Sequence, residues 1–133
     1  MLSAMVVVSK TPENIVVRSH VPQTALLEHC DVFLAHAGSR SAMEAIEARV
    51  PMLLAPVNFT TRMTARMLAE MGAGALLDPT GHLDAETFYN SVVRLSEDVN
   101  VPKALDRLAA QIETPAARSK ALDDLEALAL SSA

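Results

Sequence analysis

Short apolar, β-branched runs alternate along this chain with longer stretches whose apolar positions recur every three or four residues. Runs of the first kind read as strands and stretches of the second as helices, and their alternation is the pattern of a parallel sheet covered by helices. Strands are predicted over 4–9, 14–18, 32–35, 51–55 and 75–77. Val16, Val17, Phe33, Leu34, Leu53 and Leu54 are expected to be buried, because strands covered on both faces read as continuous apolar runs. Helices are predicted over 23–29, after Pro22, over 39–49, opened by Ser or Gly, and over 61–71, with Gly72 as a left-handed cap. From Asp84 onward no strand-like run occurs. Three helices are expected there, with Asp84 capping the first and Pro102 and Pro115 near the starts of the others. The fold class is therefore α/β, a parallel sheet flanked by helices with a helical C-terminal tail.

At 133 residues the chain has the length of a single domain. The predicted division is an α/β core over 1–83 and a helical tail over 84–133. Half of the residues are hydrophobic and 20% are charged, enough apolar material for an ordered core. Eleven Lys and Arg against sixteen Asp and Glu leave a net charge of −5 with no basic block, and Phe33, Phe59, Phe88 and Tyr89 are the only aromatic residues. Nucleic acid is not an expected partner, since its binding rests on clustered cations and stacking rings. Cys30 is the only cysteine, which fits a reducing, cytoplasmic setting. The N-terminal apolar run, Met5 to Val8, is too short for a signal core or a membrane span.

The densest chemistry lies between Val32 and Pro56, where a strand leads through His36-Ala37-Gly38-Ser39-Arg40-Ser41 into an amphipathic helix. A strand, a turn of small residues and a helix start can cradle phosphate: Gly38 lets backbone approach closely, Ser39 and Ser41 offer hydroxyls, and the helix start presents unpaired amides. The plainer alternative is that Ser39 caps a helix and Gly38 eases a turn. Glu44, on the same helix, is either a ribose ligand or a surface carboxylate favoured by the helix dipole.

Residues 14–23, Asn-Ile-Val-Val-Arg-Ser-His-Val-Pro-Gln, are followed in order by Leu26-Leu27, Asp31, His36-Ala37-Gly38, Ser41, Glu44-Ala45, Val50-Pro51, Pro56 and Gly72-Ala73-Gly74. Together they resemble the donor-binding domain of UDP-glycosyltransferases, nearest to the bacterial macrolide-type group of the GT-B fold. The resemblance implies a Rossmann-like half of such an enzyme. It also implies that Gln23 and the backbone near Val21 meet the nucleobase, with His20 where a stacking aromatic often stands. His36 would meet the α-phosphate, Gly38 and Ser41 would line the diphosphate, and Glu44 would hold the ribose hydroxyls.

Three departures qualify that picture. Where the family carries an Asp-Gln pair that grips the sugar, this chain has Thr60-Thr61, and Arg40, either a phosphate contact or simply an exposed residue, stands where an Asn usually precedes Ser41. The resemblance leads us to expect that the chain begins at the family's second strand and lacks the acceptor domain, which in the resembling enzymes supplies the catalytic base, so no catalytic residue is assigned. The expected role is a module that binds a UDP- or dTDP-sugar for inverting transfer, completed by a separate acceptor domain. The alternative is a non-catalytic remnant that folds and self-associates. A homo-oligomer is expected in either case, and the only small molecule expected is the donor substrate. His20, His29, His36 and His82 lack ligand spacing, so neither a metal nor another cofactor is expected. Met43, Met52, Met63, Met67 and Met71 read as packing residues, and Arg62 and Arg66 as a solvated face.

Overall fold

The structure, a computed structural model, describes residues 12–77 and 84–112. The strand expected over 4–9, His82 and the third C-terminal helix with Pro115 lie outside those residues. Three parallel strands, β1 (Phe33–Ala35), β2 (Met52–Leu54) and β3 (Gly74–Leu76), form one sheet in the order β1-β2-β3. Leu53 faces Leu34 on one side and Ala75 on the other. Central β2 is fully buried along its length, which is why it reads as an uninterrupted apolar run.

A five-residue helix, α1 (Gln23–Leu27), precedes β1 and follows Pro22. The two crossovers are α2 (Ser39–Glu47), between β1 and β2, and α3 (Phe59–Glu70), between β2 and β3. After β3 come α4 (Ala85–Glu97), which packs on β2, and α5 (Asn100–Ile112), which packs against α2. Ala42, Ala45 and Ile46 from α2 meet Leu105, Leu108 and Ala109 from α5 in the core around Leu53 and Leu54. These helical positions recur at three and four residues, which places them on one apolar stripe.

Helix ends follow local chemistry. Asp84 caps α4 as expected, its carboxylate accepting from the Thr87 amide at 2.7 Å. At the start of α3, Asn58 accepts from the Thr61 amide and the Thr61 hydroxyl accepts from the Asn58 amide, a reciprocal box that begins the helix two residues earlier than predicted. Both α2 and α3 end in the same motif. Behind α3, Gly72 N–H bonds the Ala69 carbonyl and Ala73 N–H the Leu68 carbonyl; behind α2, Arg49 bonds Ile46 and Val50 bonds Ala45. Both motifs need left-handed backbone at the first of these residues. Gly72 adopts it at φ 81 without steric cost, whereas Arg49 adopts it at φ 58, a conformation disfavoured for a residue with a Cβ.

Of the five methionines read as packing residues only Met52 is buried, whereas Met43, Met63, Met67 and Met71 are exposed on the outer faces of their helices or helix ends. Two further expectations are corrected. Residues 14–18 do not form a strand, and they are exposed, with Val16 at 74% and Val17 also open to solvent. Leu34, expected to be buried, is 49% exposed, and Phe33 is only partly buried. The cause is common to both. Among the described residues β1 hydrogen-bonds only to β2, and no strand runs along its other edge to give residues 14–18 a ladder or Leu34 a cover.

Candidate functional site: a cationic cleft beside α2

Because the strands are parallel, the turns that follow β1 and β2 emerge at the same edge of the sheet, the edge where ligands of open α/β sheets bind. The turn after β1 carries His36, Ala37 and Gly38 into α2. Ala37 is buried and left-handed at φ 64, a conformation costly to a residue with a Cβ. Gly38 is the residue preceding the helix, with extended backbone and no side-chain cap. Ser39 is the first helical residue, so the plain reading of Ser39 as a cap is not what the structure has. Gly38 is instead in close contact with its neighbour: a Cβ there would lie 2.7 Å from His36 Nε2, the far end of an exposed side chain that would have to shift. The imidazole thus rests over the glycine, held at the head of α2 and open to solvent.

Beside this turn lies a cleft of about 540 Å³ between the segment leading into α1 and the first turns of α2. Its walls include Arg18, His20, Val21 and Gln23 on one side and Arg40, Ser41 and Glu44 on the other. Gln23 Nε2 donates to Glu44 Oε2 at 2.7 Å, and Arg40 Nε donates to Glu44 Oε1 at 3.2 Å. Both oxygens of the carboxylate are therefore engaged, and the bond from Gln23 ties α1 to α2. In a chain of net charge −5, two arginines against one carboxylate make this cleft locally cationic.

Of the residues singled out in the sequence, the structure brings His20, Val21, Gln23, Ser41 and Glu44 to this one cleft. His36, Gly38 and Ser39 sit at the adjoining turn rather than in its wall. Thr60 and Thr61 stand apart, at the head of α3. The Thr61 hydroxyl is occupied there, accepting from the Val57 and Asn58 amides at 3.1 Å each. Thr60 is exposed. Sequence reasoning gave Arg18 no role and left Arg40 undecided. The spacing of Arg40 and Glu44, four apart on a helix, is a legible signal for their pairing. The bond from Gln23 to Glu44, across 21 residues, has no such signal.

Among the described residues no cluster of His, Cys, Asp and Glu could hold a metal ion, and no helix is long and apolar enough to cross a membrane.

Comparison with known proteins gives this geometry a family. The model of the erythromycin biosynthesis protein CIII-like C-terminal domain matches residues 3–128. Demethyllactenocin mycarosyltransferase of Streptomyces fradiae is 36% identical over 117 residues, which cover 88% of this chain and 25% of that protein. An NDP-glycosyltransferase of Bacillus subtilis (strain 168) is 29% identical over 122 residues, covering 92% and 31% respectively. Among solved structures, the calicheamicin glycosyltransferase superposes with a TM-score of 0.79 at 27% identity over 90% of this chain and 31% of its own. A spinosyn rhamnosyltransferase complexed with thymidine diphosphate superposes with a TM-score of 0.73 at 29% identity, over 87% and 32%. The chain thus spans about a quarter to a third of the length of these relatives. A parallel sheet flanked by helices, a match across nearly all of its residues and solved relatives of the GT-B type make this chain a member of the erythromycin biosynthesis protein CIII-like C-terminal domain family, the C-terminal domain of macrolide-type glycosyltransferases.

Proposed function

We propose that the chain binds a nucleoside-diphosphate sugar, a UDP- or dTDP-sugar, and serves as the donor-holding part of an inverting glycosyltransferase whose acceptor side comes from an N-terminal acceptor domain or a separate chain. The observation that carries this reading is the cationic cleft itself, in which Glu44 stands between Arg40 and Gln23 beside the turn bearing His36 and Gly38. The thymidine diphosphate carried by a relative of the same fold supports it.

In this proposal the base lies near His20, Val21 and Gln23, the ribose on Glu44, and the diphosphate along Ser41, Ser39, Gly38 and His36. Fixed donors along the diphosphate orient the anomeric carbon and stabilise the departing charge. Thr60 is the threonine left for the sugar, since the Thr61 hydroxyl is held by the α3 cap. No residue of this chain is assigned as the base that deprotonates the acceptor, so the chain alone should transfer no sugar. The proposed setting is the cytoplasm, in keeping with a single cysteine. Self-association is proposed through the open side of β1, where Leu34, Ile15, Val16 and Val17 are exposed. A stable monomer of about 14 kDa in light scattering would overturn that part.

The test pairs thermal melts with calorimetric titration of UDP, dTDP and 2′-deoxy-UDP. His36→Ala should weaken diphosphate binding by about 1–3 kcal/mol with a smaller effect on folding. Glu44→Ala should weaken UDP more than 2′-deoxy-UDP, because a ribose with both hydroxyls uses the carboxylate more fully. Unchanged affinity in both variants would overturn the assignment.

A further inference from the structure

Glu44 has two partners of very different character. Gln23 is part-buried and its bond is short, at 2.7 Å. Arg40 is 92% exposed in its side chain, while that of Glu44 is only 18% exposed, and their contact is longer, at 3.2 Å. A guanidinium has five N–H donors in a planar fork, and among the described residues only Nε of Arg40 is engaged. The pair is also poorly placed for strength. An arginine four residues before a glutamate is the less favourable order on a helix, and a cation in the first turn opposes the helix dipole. Arg40 nonetheless lines the same cleft as Ser41, facing Arg18 and His20.

We infer that Arg40 is an exchangeable partner of Glu44: in the free chain it occupies Oε1 of the carboxylate, and when a nucleoside diphosphate enters the cleft it moves onto the diphosphate and leaves that oxygen to a ribose hydroxyl. The inference rests on the nucleotide reading above and adds a specificity to it. Gln23 holds the carboxylate in place throughout, so Glu44 is not left without a partner when Arg40 departs. Only a ligand carrying phosphate supplies an acceptor able to draw the guanidinium away, by paired charge-assisted bonds. A nucleoside without phosphate must instead compete with Arg40 for Glu44. The cleft therefore recognises ribose and diphosphate jointly, through one side chain.

The experiment is calorimetric titration of UDP and of uridine into the full chain as wild type, Arg40→Ala and Arg40→Lys, with thermal melts to establish that each is folded. Arg40→Ala should weaken UDP about tenfold, the scale of one charge-assisted contact, while uridine tightens by roughly two- to threefold because Glu44 is released. Arg40→Lys, which keeps the charge but not the paired geometry, should restore part of the UDP affinity. Equal losses for both ligands would mean that Arg40 merely holds Glu44 in position. No change for either, or uridine binding that does not improve, would mean an ordinary surface ion pair. Each of these results overturns the exchange alone, whereas a wild type that binds no UDP overturns the nucleotide reading and the exchange with it.

Discussion

Gln23 Nε2 lies 2.7 Å from Glu44 Oε2, so the first residue of α1 is fastened to the sixth residue of α2. A helix of five residues has little stability of its own and depends on such tethers. Gln23→Ala should cost about 1–2 kcal/mol in urea unfolding, the scale of a hydrogen bond to a charged group. Gln23→Glu should cost more at neutral pH, because two carboxylates would then face one another. Equal stability of wild type and Gln23→Ala would show that α1 is held by Leu27 and its packing alone.

His36 and Gly38 are coupled by contact, and a double-mutant cycle reads that coupling. In the wild-type background Gly38→Ala pushes the added methyl into the imidazole, so it should be neutral to mildly destabilising and should displace the ring, visible as a shift of its NMR resonances. In a His36→Ala background the obstruction is gone. The Gly38 backbone, φ −66 and ψ 135, suits any residue, so the same change should then stabilise by about 0.5 kcal/mol through the unfolded chain. Strict additivity would mean that the ring does not rest on the glycine.

The two adjacent threonines should separate cleanly. Thr61→Val removes the hydroxyl that accepts from Val57 and Asn58, and should cost roughly 1 kcal/mol of stability, as loss of a helix cap does. Thr60→Val should leave the melting temperature near that of wild type, since its side chain is exposed. Reversal of that order would undo the assignment of Thr61 to the cap.

Arg49 carries a conformational cost that its contacts offset. Its Nε donates to Asp106 Oδ1 at 2.9 Å, linking the end of α2 to α5, and its guanidinium also reaches the Glu47 carbonyl at 3.1 Å. Arg49→Ala keeps the left-handed backbone and loses those bonds, so it should destabilise by about 1 kcal/mol. Arg49→Gly loses the same bonds but removes the Cβ that disfavours this conformation, and should melt above Arg49→Ala. An alanine variant as stable as the glycine one would show that the backbone at this position is relaxed.

Acid should loosen α4 from its start. The Thr87 amide, bonded to the Asp84 carboxylate, holds the carboxyl below the ordinary aspartate value of 3.8, with the Thr87 hydroxyl adding to the effect. The folded pKa is depressed, so the contribution of the cap is fully present above 3.8 and is lost as pH falls through the lower folded value. Asp84→Asn caps without titrating, and its stability should vary less with pH between about 2 and 4 than that of wild type. Parallel pH profiles for the two proteins would remove Asp84 from the account.

Periodicity made the three central strands and their crossover helices legible, because central β2 is covered on both sides and α2 and α3 each bury one stripe. It misled at residues 14–18, where Ile15, Val16 and Val17 have strand composition but pair with no strand among the described residues, and composition does not register whether a partner strand is there. Candidate residues near one another in sequence, such as Ser41 and Glu44, were found in one place. The tether from Gln23 and the diversion of the Thr61 hydroxyl into a cap were not foreseen, since each depends on a side chain's choice among nearby donors and acceptors. Arg49 was hidden for a similar reason: glycine advertises a left-handed turn, and arginine does not.

The sheet order repeats the chain order, and this bears on how the molecule forms. Phe33 pairs with Met52 and Met52 with Gly74, so each strand finds its partner after a loop of about twenty residues, and β1 never has to meet β3. Closing short loops one after another costs less entropy before contacts form than threading distant strands together, which favours rapid assembly. β2 belongs to both ladders, and a nucleus that contains it can grow in either direction. Substitutions at Leu53 should accordingly slow folding as well as speed unfolding, whereas substitutions at exposed Leu76 of β3 should act mainly on the unfolding rate. The order in which this chain was synthesised is thus also an order in which its sheet can be laid down.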